Sequence, residues 1–129
     1  ILGVGDLETL RNVAKASLVC MMAGADFIKT STGKESTNAN LNNSLVMLRM
    51  IRDFHIKTGK KIGFKPAGGI STAKSVLEFL ILVAEELGFE WVNSKLLRIG
   101  ASSLLIDIER QLYHYTSGRY ANIEKLAIG

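Results

Sequence analysis

Lys29 closes one strand-like run, Asp26-Phe27-Ile28-Lys29-Thr30-Ser31, and Lys65 holds the matching point of another, Lys61-Ile62-Gly63-Phe64-Lys65-Pro66. A glycine follows each lysine within four residues. This pairing is the pattern of an amine nucleophile. Near its usual pKa of about 10.4 a lysine is almost wholly protonated at neutral pH and cannot attack a carbonyl. A second cation close by, or burial, disfavours the charged form. If the two runs are neighbouring parallel strands, their backbones lie about 4.8 Å apart and both ammonium groups crowd one cavity mouth. One strand-end lysine alone reads as a solvated surface charge; two in the same register do not read so simply.

Three loops that follow strand-like runs are rich in small residues: Thr32-Gly33-Lys34, Ala67-Gly68-Gly69-Ile70 and Gly100-Ala101-Ser102-Ser103. Each alone is a turn with a helix cap. Together they resemble phosphate cradles, because glycine lets backbone N–H groups approach an anion, serine adds donors, and the next helix presents its positive end. An amine nucleophile beside a phosphate cradle suits a phosphorylated carbonyl substrate held as a Schiff base. The protonated imine is an electron sink, so a neighbouring carbon–carbon bond can break or form.

The elements that must position these residues follow from periodicity. Leu10, Val13, Ala14, Ser17, Leu18, Met21 and Met22 recur at threes and fours and predict a helix ended by Gly24. Asp26 to Ser31 is the next strand. After an asparagine-rich stretch, Ser44 is the expected cap of a helix carrying Met47, Leu48, Met50, Ile51 and Phe54 and closed by Gly59. Ile62 to Lys65 is a strand. Ser71 or Thr72 caps a helix with Val76, Phe79, Leu80, Val83, Ala84 and Leu87 on one face, ended by Gly88. Leu97 to Ile99 is a short strand, and Leu104, Leu105, Ile108 and Leu112 begin the last helix.

Lys29, Lys65 and Gly100 are separated by 36 and 35 positions, so the chain is a βα repeat. Such alternation forces parallel strands with helical crossovers, in a doubly wound sheet or a (β/α)₈ barrel. Both place ligands at the carboxyl ends of the strands, where both lysines fall. Phosphate sites in barrels are frequently built from the last two strand-to-helix loops. A full barrel needs about 250 residues. The 129 residues here show three complete βα units and a stub, Ile1-Leu2-Gly3, that reads as the tail of a strand. The expectation is an α/β fold, the carboxyl-terminal half of a TIM barrel, with residues 1–129 forming a single partial-barrel domain. Open strand edges and helix faces then favour pairing with a second copy or with the missing half.

Composition is ordinary for a folded domain, 47% hydrophobic and 22% charged. Uncharged stretches such as Ala16 to Ala25 are too short and mixed to cross a bilayer, nothing at the amino end resembles a secretory signal, and the location expected is cytoplasmic. Cys20, the one cysteine, reads as a buried thiol. The net charge of +4 is spread along the chain, and only Lys57, Lys60 and Lys61 cluster, without aromatic residues to stack bases. A nucleic-acid partner is not expected; a small anion is the better use of the charge. His55 and His114 sit in helical segments and read as surface or packing residues.

Three stretches carry a specific resemblance: Asp26-Phe27-Ile28-Lys29-Thr30-Ser31-Thr32-Gly33-Lys34, Gly63-Phe64-Lys65-Pro66-Ala67-Gly68-Gly69-Ile70 and Ile99-Gly100-Ala101-Ser102-Ser103. In order and spacing they resemble the deoxyribose-phosphate aldolase family over essentially the whole chain to Ala121. The ending from Ile108 to His114 and from Gly118 to Ala121 looks like its animal branch. The resemblance implies strands five (its end) to eight of the barrel. It implies reversible cleavage of 2-deoxy-D-ribose 5-phosphate into D-glyceraldehyde 3-phosphate and acetaldehyde, a carbon–carbon lyase reaction, with no metal and no organic cofactor. Carried over by motif, Lys29 forms the Schiff base and Lys65 is the neighbouring cation that makes it reactive. Gly33, Lys34, Gly68, Gly69, Ser102 and Ser103 hold the phosphate.

Departures from the pattern matter. Ser71 stands where the family usually has arginine, removing a cation near the phosphate. The aspartate that shares proton transfer lies in the family's first half; Asp6 reads instead as a helix-start acid and Asp107 as an exposed helix position. The carboxyl-terminal tyrosine of some members has no counterpart at Ala127-Ile128-Gly129. The chain alone is therefore expected to be inactive or very slow. A rival reading is a non-catalytic, self-associating half-barrel that at most binds phosphate. A third, another phosphosugar lyase or isomerase, needs the glycine loops but not both lysines.

Overall fold

Two parallel strands and the helices that follow them set the architecture, as seen in a computed structural model that describes residues 1–126. The ending Ala127-Ile128-Gly129 lies outside the described residues. In chain order the elements are α1 (Leu10–Met22), β1 (Phe27–Lys29), α2 (Leu41–Thr58), β2 (Gly63–Lys65), α3 (Ala73–Leu87) and α4 (Leu104–Ser117). Single 3₁₀ turns span Phe89–Trp91 and Ile123–Lys125.

β1 and β2 pair with Phe27 opposite Gly63, Ile28 opposite Phe64, and Lys29 opposite Lys65. The chain flanks them on both sides. Leu2 N donates to Lys29 O at 2.9 Å and Val4 N to Thr30 O at 3.1 Å, so the expected amino-terminal stub lies along β1. On the far side the expected strand at Leu97 to Ile99 is reduced to two parallel bridges, Phe64 with Leu97 and Ala67 with Gly100. The bonds Phe64 N to Leu96 O and Arg98 N to Phe64 O still tie it to β2.

Side chains alternate across a strand, so Ile28 and Phe64 share one face while Phe27, Lys29, Gly63 and Lys65 share the other. Ile28 and Phe64 are buried among Val13, Met21, Met47, Leu48, Ile51, Ile62, Val83 and Trp91, which makes theirs the helix-covered face. Lys29 and Lys65 are half-buried on the opposite face. Trp91 is the largest fully buried side chain, and its indole N–H donates to Ile62 O at 3.0 Å, fixing the entry to β2.

Helix ends follow residue chemistry with some corrections. Thr9 caps α1 by accepting from Asn12 N. Asp6 is not a helix-start acid: its N–H closes a turn onto Gly3 O, and the first turn of α1 holds no acid. Asn40, not Ser44, caps α2, accepting from Asn43 N at 2.8 Å, so the helix starts earlier and Ser44 is buried inside it. Asparagine wins because its short amide reaches the free N–H of the first turn. Thr72 caps α3 through a capping box with Ser75. Gly59 closes α2 at φ 74°, a backbone conformation that suits glycine. Cys20 is half-buried rather than buried.

Arg49 and Arg52 both reach Glu86 across α2 and α3, at 3.4 and 2.9 Å. These arginines are about half exposed, and surface pairs of this kind contribute roughly 0–1 kcal/mol. Each buried Met47, Leu48, Ile51 or Val83 contributes about 1.5–3 kcal/mol, so apolar packing decides where the helices lie. His55 packs edge-on against Trp91 at 5.1 Å and His114 stacks on Tyr120 at 4.2 Å, both packing roles.

Gly63 is buried beneath the Phe27 ring, and a Cβ at this position would overlap the ring atoms. Gly63→Ala is expected to lower stability by about 1–3 kcal/mol through overpacking at the strand pair. Urea unfolding followed by Trp91 emission measures it, and an unchanged midpoint refutes the close fit.

Candidate active site

Beyond β1, Thr30 and Ser31 are buried and both turn onto Ala67, the second residue after β2. Thr30 Oγ1 donates to Ala67 O at 3.1 Å and accepts from Ala67 N at 2.9 Å. Ser31 Oγ donates to Ala67 O at 2.6 Å, and Ala39 N reaches the same oxygen at 3.1 Å. Each hydroxyl stands where the β ladder has ended, and it carries the pairing of the two chains into their loops.

The first loop is folded on itself. Glu35 Oε1 accepts from Thr32 N at 2.8 Å and from Thr32 Oγ1 at 3.0 Å, and Asn38 Nδ2 donates to Glu35 O at 2.9 Å. Asn38 then fills the space beside Gly68: a Cβ there would lie 2.5 to 2.6 Å from the asparagine side chain, and Gly68 also has φ 89°. Only glycine meets both conditions. In the third loop, a Cβ on Gly100 would lie 2.6 Å from Ala67 Cβ and 3.4 Å from Lys65 Cε. Gly100 is thus pressed between the chain after β2 and the Lys65 stem.

These loops enclose a cleft of about 590 Å³ at the carboxyl ends of β1 and β2. Of the expected site residues it is lined by Lys29, Gly33, Lys34, Gly68, Gly69, Ser102 and Ser103. Lys65 is not in that lining; it is the register partner of Lys29, and its stem lies beside Gly100, which is. Thr32, Ala67, Ile70, Ser71 and Ala101 complete the walls. Two lysines and no carboxylate line the cleft, so among the described residues its lining favours an anion.

The two helices that start at the cleft differ. At α3, Thr72 and Ser75 satisfy each other's backbone, and Asp107 Oδ2 of α4 accepts from Ala73 N at 2.7 Å. Asp107 is therefore half-buried and engaged, not an exposed position. At α4 the N-cap Ser103 makes no side-chain cap bond. The first-turn N–H groups of α4 are left for a ligand.

Among the described residues, no helix is long and apolar enough to cross a membrane. The loop-lined cleft lies at the carboxyl ends of parallel strands, the place where α/β proteins hold their ligands. Residues 4–105 match the DeoC/LacD family aldolase model, and the chain belongs to that family.

The chain is 67% identical over 121 residues to a mouse protein named deoxyribose-phosphate aldolase, and 65% and 63% identical to the human and bovine proteins of that name. Each alignment covers 94% of this chain and 38% of the relative, so the chain spans little more than a third of the length of these relatives. A crystal structure from Toxoplasma gondii ME49, provisionally described as a deoxyribose-phosphate aldolase, superimposes with a TM-score of 0.75 at 20% identity. That match covers 95% of this chain and 47% of the other, and it gives the fold as α/β of the TIM-barrel type.

Sequence reasoning missed Thr30, Ser31, Asn38 and Asp107 as the supports of the cleft. Thr30 and Ser31 were legible in part, since hydroxyl residues directly after a buried strand need partners. Asn38 and Asp107 act across long separations that no local pattern reports. Thr30→Val keeps the shape but strands the Ala67 N–H, and a loss of about 1–3 kcal/mol in stability is expected. Thermal unfolding measures it; a loss below a few tenths would mean the bond carries nothing.

Proposed function

We propose that this chain carries the imine-forming and phosphate-holding part of a deoxyribose-phosphate aldolase. The substrate is 2-deoxy-D-ribose 5-phosphate, cleaved reversibly to D-glyceraldehyde 3-phosphate and acetaldehyde. The observation that carries the reading is the register of Lys65 with Lys29, which lines a cleft walled by glycine loops and, among the described residues, by no carboxylate.

In this reading Lys29 Nζ attacks the aldehyde carbon of the open-chain sugar, water leaves, and a protonated imine forms. The C2–C3 bond then breaks as the C3 hydroxyl gives up its proton, and the electron pair flows into the imine. Protonation at C2 and hydrolysis release acetaldehyde and return the amine. Lys65 is the cation held against Lys29. Lys34, the N–H groups of Gly33 and Gly69, the close approach that Gly68 permits, and Ser102 and Ser103 at the start of α4 hold the phosphate. With Ser71 uncharged, Lys34 is the principal cation for that group.

No carboxylate lines the cleft among the described residues, so the base for the C3 proton comes from outside this lining. The family resemblance assigns it to the portion of the relatives that the chain does not cover. The half-barrel reading, strands five (its end) to eight in one partial domain over 1–129, accounts for that division. It also gives the uncovered face a partner, either the complementary half or a second copy. A cytoplasmic location fits a sugar-phosphate substrate.

Acetaldehyde or deoxyribose 5-phosphate followed by borohydride is expected to fix an adduct on Lys29, located by peptide mass spectrometry, and Lys29→Ala to abolish it. Label on Lys65 exchanges the two roles. A folded sample without label supports the rival, a self-associating half-barrel that at most binds phosphate. Separately, Lys34→Ala is expected to raise the deoxyribose 5-phosphate concentration for half-maximal labelling about tenfold, the loss of one charge-assisted contact, while acetaldehyde labelling stays level.

A further inference from the structure

The second and third loops of the cleft lie at the starts of α3 and α4, and little holds those two helices together. Their apolar contact is a small cluster of Ile70, Phe79 and Leu104 with Val76 and Ile108 packed against it, linked to the main core through Ile99. Among the described residues, the bond from Ala73 N to Asp107 Oδ2, 2.7 Å long, is the only side-chain hydrogen bond between α3 and α4. It joins two points close to the cleft. Ser71, which lines the cleft, is two residues before Ala73, and Ser103, which also lines it, is four before Asp107.

An ionised acceptor on a helix's first-turn N–H makes a strong, short bond and uses up a donor that an external anion would otherwise take. The Thr72 and Ser75 N–H groups at the start of α3 are engaged by the Thr72–Ser75 capping box. At α4 the N-cap Ser103 makes no side-chain cap bond. The backbone bond from Gly68 N to Gly100 O, 3.3 Å, joins the two loops at their starts, and the Asp107 carboxylate adds a second tie farther along, between the helix starts that follow them.

We propose that Asp107 is a positioning residue of the anion site: without touching substrate, it ties the helix starts that follow the two loops and directs the phosphate to the start of α4. This rests on the reading above, in which the cleft takes a phosphate group. Asp107→Ala removes the tie. Asp107→Asn keeps an acceptor oxygen and removes the charge.

The test titrates inorganic phosphate into the chain and its two variants, following the amide signals of Gly68, Gly69, Ser102 and Ser103. The expected result is phosphate binding about tenfold weaker in Asp107→Ala and within about twofold of the parent in Asp107→Asn. Labelling of Lys29 by acetaldehyde and borohydride stays unchanged in both, a split that general destabilisation would not give. Equal phosphate affinity in a folded Asp107→Ala, an equal loss in both variants, or a parent that binds no phosphate overturns the proposal. So does fast exchange of the Ala73 N–H in the parent, whatever the folding of the variants. Phosphate binding without labelling of Lys29 instead overturns the aldolase reading and leaves the Asp107 comparison intact.

Discussion

The pleat of two three-residue strands is the constraint on which everything else rests. Ile28 and Phe64 must face the helices, because that is where Met47, Leu48, Ile51 and Trp91 close the core. Their neighbours Lys29 and Lys65 then emerge together on the other face, paired in register. A slip of one residue in either strand would drive a lysine toward that core and expose a phenylalanine or isoleucine, so burial polices the register. The chemistry is positioned by hydrophobic side chains that never meet a ligand.

The ladder is too short to hold the loops by itself. The structure compensates with side-chain bonds that continue the pairing: Thr30 and Ser31 onto Ala67, Asn38 against Gly68, and Asp107 onto Ala73. Gly33, Gly68 and Gly69 have positive φ in the cleft, where Gly68 N donates to Gly100 O at 3.3 Å, and the polar residues restore the order that such backbone freedom removes. Openness to an anion and rigidity are thus supplied by different residues in the same loops.

The repeat of strand and helix, the two lysines, and the three small-residue loops were legible because they are local: periods of two and 3.6, and glycines grouped after strand-like runs. Helix ends set by glycine, at Gly59 and Gly88, are legible for the same reason. Ser44 was misassigned because Asn40 competes for the same cap and begins the helix a turn earlier. Leu97 to Ile99 has strand composition, yet only isolated bridges form on β2. Lys65 is outside the residues that line the cleft, its stem lying beside Gly100, which does line it. Asp107 looked exposed, since an acid one turn into a helix normally faces water; only the placement of α3 beside it reveals its partner.

Trp91 has a practical implication. It is the chain's single tryptophan, it is 2% exposed, and its indole is hydrogen-bonded to the residue that leads into β2, with the Lys61 ammonium 4.8 Å from the ring centroid. Light absorbed near 295 nm therefore excites one chromophore in one place. Its colour and intensity report whether the backbone leading to Lys65 is intact, with no dye or label added.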